Sequence, residues 1–299
     1  MWVGVAFLSA LMLGLYDVAK KRSLSGNAVV AVLWFNTLIS SILFLPVVVD
    51  AEFSLGAFDG SMLSYEPASL SSHMLVATKA VITLSSWICG YYAMKHLPLS
   101  IVGPVNATRP VVVLMGAVLI FGERLNAWQW SGVILALVSL YLLSRSSRKE
   151  DVSFSSKYAV AMFVAMLLGA ASGLYDKYII SEHALDPLFV QSWFSIYQLA
   201  IMSVIALVIW LPRRATDRFH WSWAIPLISI FVSLADFCYY HAIDMDGSMI
   251  AVISMIRRFS VVVSFLCAAL IFGEKNLRSK ALDMFLILVG MILLAIGSV

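Results

Sequence analysis

Apolar residues fill almost the whole chain in runs of roughly 18 to 25, separated by short polar segments. At about 1.5 Å of rise per residue, each run is long enough as a helix to cross a hydrocarbon layer about 30 Å thick. The pattern predicts ten helices, near 2–20, 28–49, 73–94, 99–121, 127–145, 157–181, 187–211, 221–243, 247–272 and 279–298. The longest polar stretch, from Asp50 to Ser72, carries Asp50, Glu52, Asp59 and Glu66 without Lys or Arg, and reads as a loop with a surface helix.

Composition removes the soluble alternative. The 299 residues are 62% hydrophobic and 12% charged, whereas a soluble domain is about one quarter charged. The first apolar run has no basic residue before it and Lys20, Lys21 and Arg22 after it, the reverse of a signal peptide, so it is expected to remain as the first helix. Three cysteines, Cys89, Cys238 and Cys267, all fall inside predicted spans and give neither a disulfide framework nor a metal-ligand spacing.

The net charge of +3 is informative only through its distribution. Lys20, Lys21, Arg22, Lys95, Arg145, Arg148, Lys149, Lys157, Arg213, Arg214, Arg218, Lys275, Arg278 and Lys280 follow odd-numbered helices, and only Arg124 follows an even one. Cytoplasmic loops collect Lys and Arg, so a multi-pass protein of the plasma (inner) membrane is expected, with both termini outside. Orientation in the lipid bilayer accounts for these charges without a nucleic-acid partner.

Three short segments repeat in order. Gly14-Leu15-Tyr16-Asp17 returns as Gly173-Leu174-Tyr175-Asp176, Tyr91-Tyr92-Ala93 as Tyr239-Tyr240-His241, and Leu119-Ile120-Phe121-Gly122-Glu123 as Leu270-Ile271-Phe272-Gly273-Glu274. The chain therefore divides into two related five-helix halves, 1–146 and 157–299. Because five is odd, the second enters the membrane from the opposite face. The fold class expected is an all-α polytopic membrane protein, with ten transmembrane helices as two five-helix inverted-topology repeats.

Ten helices in five plus five, short loops, and Phe-Gly-Glu closing the fourth helix of each half resemble the EamA-type branch of the drug/metabolite transporter superfamily. The resemblance implies a cavity lined by helices one, three, four, six, eight and nine, with five and ten peripheral. It also implies a transporter working by alternating access. Relatives are commonly drawn with cytoplasmic termini, against the orientation that the charges indicate here.

Ionisable groups at bilayer depth cost roughly 2.5–3.5 kcal/mol on insertion scales and need a partner or a wet cavity. Arg109 lies about ten residues into helix four, and Arg257 and Arg258 lie equally deep in helix nine, so the three converge near the midplane. Asn106 shares a helix face with Arg109. Guanidinium forks match carboxylate or phosphate, which makes these four residues the candidate substrate-binding set. The resemblance adds that sugar-phosphate translocators of the same superfamily hold substrate phosphate with basic residues on helices four and nine.

Buried acids offer the competing reading, in which the arginines are structural. Lys79 and Asp236 fall at similar depth and are expected to pair between helices three and eight, as a clamp or a gate. Asp17 and Asp176 occupy mirror positions and are candidates either for coupling to a proton or for neutralising Lys20 and Lys177. Glu123 and Glu274 read as helix-end devices beside the turns at Gly122 and Gly273. Pro104 and Pro110 predict a kink around Asn106 and Arg109. Trp87, Tyr91, Tyr92, Trp193, Tyr239 and Tyr240 are candidate cavity walls, and Gly169 with Gly173 suggests close helix approach.

Three functions compete on this basis. The first is secondary transport of a small organic anion, a carboxylate or phosphorylated compound, driven by a proton or a counter-substrate. The second is export of amino acids or drug-like compounds with the arginines structural. The third is a structural or assembly role in the membrane. A membrane enzyme has no support: His73, His96, His183, His220 and His241 are scattered, and no nucleotide or metal motif is present. No cofactor is expected.

Overall fold

The computed structural model describes residues 1–24, 26–96, 99–146, 157–260, 262–263, 266–267 and 277–297. The helices are α1 (Trp2–Leu24), α2 (Val29–Phe53), α3 (Leu70–His96), α4 (Leu99–Phe121), α5 (Ala127–Ser146), α6 (Lys157–Lys177), α7 (Pro187–Ile205), α8 (Ala224–Asp244), α9 (Ile250–Ile256) and α10 (Leu277–Ile296). Helical structure falls in each of the ten expected ranges. Six helices among the described residues are long and apolar enough to cross a membrane: α1, α2, α3, α6, α7 and α8.

Large apolar side chains such as Ile42, Leu43, Phe163, Leu207 and Val208 point outward and are exposed. A soluble protein would not tolerate that surface, whereas lipid solvates it. Inside, the helices are drawn together by small residues and hydroxyl-to-carbonyl hydrogen bonds, the usual devices where no water drives association. Ser9 Oγ donates to the Ala235 carbonyl at 2.7 Å, Ser86 Oγ to Ala165 at 2.7 Å, and Ser41 Oγ to Ser195 at 2.7 Å. These bonds tie α1 to α8, α3 to α6 and α2 to α7. The same pairs are packed side by side, as are α5 with α10, α4 with α6 and α9, and α1 with α9.

Three local features differ from the sequence expectation. Asp50 is not a loop residue but ends α2 buried, where its carboxylate accepts the backbone N–H groups of Ala57 and Phe58 at 2.7 and 3.2 Å and folds back the segment after the helix. The end of α6 widens into a turn over Tyr178–Glu182. The ninth helix is interrupted at the arginine pair: Arg258 N–H donates to the Met255 carbonyl at 2.9 Å and Ser260 N–H to Arg257 at 3.2 Å, a tighter spacing than the α-helix uses. By contrast, α4 runs as one helix through Pro104 and Pro110.

Candidate functional site

Arg109 leaves α4 and lies flat on α6. Its Nη2 donates to the carbonyl of Gly169, and a Cβ built on Gly169 would stand 2.7 Å from Arg109 Cζ. Gly169 is small so that an arginine can lie there, not to bring two backbones together as its spacing with Gly173 suggested. Gly173 faces the Tyr239 hydroxyl, 3.7 Å from its own Cβ position. A guanidinium on one carbonyl retains most of its donors.

Arg257 and Arg258 occupy the break in α9, where two successive side chains are re-aimed into the interior. Arg257 Nη2 donates to Asp236 Oδ1 at 3.0 Å across to α8. Its Cζ sits 4.0 Å from the centroid of the Tyr239 ring, a cation–π stack that fixes the guanidinium plane. Among the described residues Arg258 makes no ion pair, and its Nε, like that of Arg257, is buried without a partner. Arg258 lies within electrostatic reach of Arg109, Arg257 and Asp17, and Arg109 within reach of Arg257. Each of the three arginines thus lies within the electrostatic influence of at least one of the others.

The expected Lys79–Asp236 pair does not form. Lys79 Nζ binds Asp176 Oδ1 instead, because α3 packs along α6 rather than α8. Lys79 is 2% exposed and is walled by the rings of Phe194 and Tyr240, whose centroids lie 4.5 and 4.8 Å from Nζ. Asp236 is taken by Arg257. Asp176 is therefore neutralised by Lys79 and not by Lys177, since consecutive helix residues point to different sides.

Lys177 turns to Glu123, donating at 2.7 Å to Oε1 and at 3.1 Å to the Ser248 carbonyl. The same carboxylate accepts the N–H groups of Ile250 and Ala251 at 2.7 and 3.1 Å. Gly122, at φ +63°, reverses the chain after α4 in a conformation that favours glycine. Phe-Gly-Glu does end its helix, and it also reaches across to cap the N-terminus of α9, where a carboxylate satisfies orphan donors and the helix dipole. Glu274 lies outside the described residues, as does the side chain of Asn106.

Other sequence candidates scatter. Asp17 is half-buried near Lys20, Arg258 and Arg257. Trp193 packs with His73 and Tyr197, Tyr92 meets Tyr158, and Trp87 lies in a separate apolar cluster, whereas Tyr239 and Tyr240 touch the charged centre. The side chain of Tyr91 is outside the described residues. Cys89, Cys238 and Cys267 are free thiols. Gly169 and Phe194 were missed as parts of the centre. The dipeptide Trp193-Phe194 stands 159 positions after Trp34-Phe35, the same interval as the two Gly-Leu-Tyr-Asp segments, and that signal could have drawn attention to Phe194.

Apolar helices of spanning length around a charged centre define an integral, multi-pass membrane protein. Residues 1–145 match the EamA-like transporter family. An uncharacterized transporter of Archaeoglobus fulgidus is 22% identical over 150 residues, which is 50% of each chain, so the chain spans about half the length of that relative. A solved crystal structure superimposes with a TM-score of 0.72 over 98% of this chain and 95% of that one at 14% identity, a likeness of fold alone. The similarity to EamA-like transporters thus rests on the first half of the chain, residues 1–145.

Proposed function

We propose that the protein is a secondary transporter that moves a small organic anion, a carboxylate or a phosphorylated compound, by alternating access. The observation that carries this reading is Arg258: a guanidinium in the interior of a membrane protein, beside two further arginines, with a buried Nε that no described residue accepts. An unpaired interior cation is costly, and an oxyanion from outside the protein supplies what it lacks. Arg257, held by Asp236 and Tyr239, and Arg109, held by Gly169, keep donors for the same guest and are fixed in direction.

We read the fold as ten spans in two inverted repeats. The helix pairings support this. Exchanging each helix for its counterpart in the other half turns α1 against α8 into α6 against α3, and leaves α2–α7, α4–α9 and α5–α10 unchanged. All these pairs are in contact. The two halves would then rock about the arginine centre, with Lys79–Asp176 and Glu123–Lys177 together closing the end where α4, α6 and α8 finish. From the Lys and Arg distribution this is the outer end.

The second reading, export of amino acids or drug-like compounds with structural arginines, draws on the protein partners that Arg109 and Arg257 already have. Substrate charge separates the two. Purified protein is heated with inorganic phosphate, glycerol 3-phosphate, malate, neutral amino acids and organic cations, alongside Arg258→Gln. Stabilisation by anions alone, lost in the variant, is expected, since a ligand that binds only the folded state raises its stability. Stabilisation by zwitterions or cations, undiminished in the variant, transfers the conclusion to the exporter.

A further inference from the structure

We propose that the Asp17 carboxylate is the internal counter-ion of Arg258, so that Asp17 and a transported anion compete for the same guanidinium. This rests on the anion reading above. It follows from the order in which charges are used up around the centre. Five cations, Lys20, Lys79, Arg109, Arg257 and Arg258, lie around three acids. Asp176 is engaged by Lys79 and Asp236 by Arg257. Asp17 is the acid that remains, and the guanidinium within its reach whose Nε is unsatisfied and that makes no ion pair is Arg258.

Packing brings the two together. Helix α1 presses on the continuation of α9 beyond its break: a Cβ on Gly14 would lie 2.9 Å from the Ser260 carbonyl oxygen and 2.5 Å from Val263 Cβ. Two turns earlier on α1 and on the same side, Phe7 meets Phe259 edge-on at 6.0 Å. Asp17 follows Gly14 by three residues and so shares the face that looks at α9. Lys20 on its own helix, together with Arg257 and Arg258 on α9, are the charges that face it.

The repeat shows why this acid differs from its mate. Asp176 is held by Lys79 of α3, but the residue of α8 that corresponds to Lys79 in the Tyr91–Tyr239 register is Leu227. Asp17 therefore has no lysine on the neighbouring helix, and the cations within its reach are Lys20 of its own helix and the arginine pair of α9. A carboxylate so placed shields the cation while the site is empty, and yields it when a better oxyanion arrives, because two anions on one fork repel each other.

Two measurements on the full-length protein test the proposal. In ligand-free protein, the thermal shifts of Asp17→Asn and Arg258→Gln are compared with that of the double variant. Partnership requires the double variant to melt no lower than the weaker single one, and shifts that simply add overturn it. In the second, binding of inorganic phosphate and of malate is titrated. Asp17→Asn is expected to tighten one or both on the order of tenfold, with Asp17→Glu near the wild type. If the wild type binds and Asp17→Asn leaves affinity unchanged or weaker, competition is refuted. If no anion binds at all, the anion reading fails, and the ligand-free cycle still decides whether Asp17 and Arg258 are partners.

Discussion

Arg109 and Gly169 form one unit: the guanidinium of a residue in α4 rests on the Cα of a residue in α6 and donates to its carbonyl. The two helices belong to different halves of the chain, so the direction of this arginine is set by how the halves meet. Gly169→Ala puts a methyl 2.7 Å from Cζ and forces the side chain aside. The expected outcome is a folded protein that loses anion stabilisation about as fully as Arg109→Gln does. In the Arg109→Gln background the same alanine should add nothing further.

The second prediction concerns the carboxylate that joins α4, α6 and α9. Glu123→Ala leaves Lys177 buried without its acid and uncaps α9, and should destabilise by about 3–5 kcal/mol, the range for breaking a buried pair. Glu123→Gln keeps an acceptor for the Ile250 or Ala251 N–H and should cost less. Unfolding in detergent micelles measures the order, and equal losses would contradict the capping role.

Lys79 and Asp176 permit a different kind of variant. Lys79→Met alone and Asp176→Leu alone each orphan a buried charge and should cost about 3 kcal/mol or more. Together they replace an ion pair by apolar packing against Phe194 and Tyr240, and the double variant should regain most of the loss. Transport by the double variant then reports on gating. A stable protein that no longer transports marks the pair as a gate that must open, whereas undiminished transport marks it as a clamp.

Orientation is checked independently of substrate. A reporter fused to the C-terminus should register outside the cytoplasm, as the Lys and Arg of the loops after odd helices require. Activity of the reporter in the cytoplasm would reverse the assignment of the Glu123 end as the outer one.

The sequence by itself determined the membrane as solvent and the positions of the helices. These follow from hydrophobic run length and a fixed rise per residue, which neighbours hardly alter. It also placed a turn at Gly122. Only the tertiary structure decided which charges pair. Lys79 and Asp236 match in the depth expected from the sequence, yet depth is one coordinate, and the angular position of each helix and its choice of neighbour are two more. With α3 against α6, Lys79 meets Asp176, and Asp236 is left to the arginine that the break in α9 turns towards it. The seat at Gly169 and the reach of Glu123 to the start of α9 are likewise contacts between halves distant in sequence. Nothing local in the chain encodes them, because they exist only once the halves have packed.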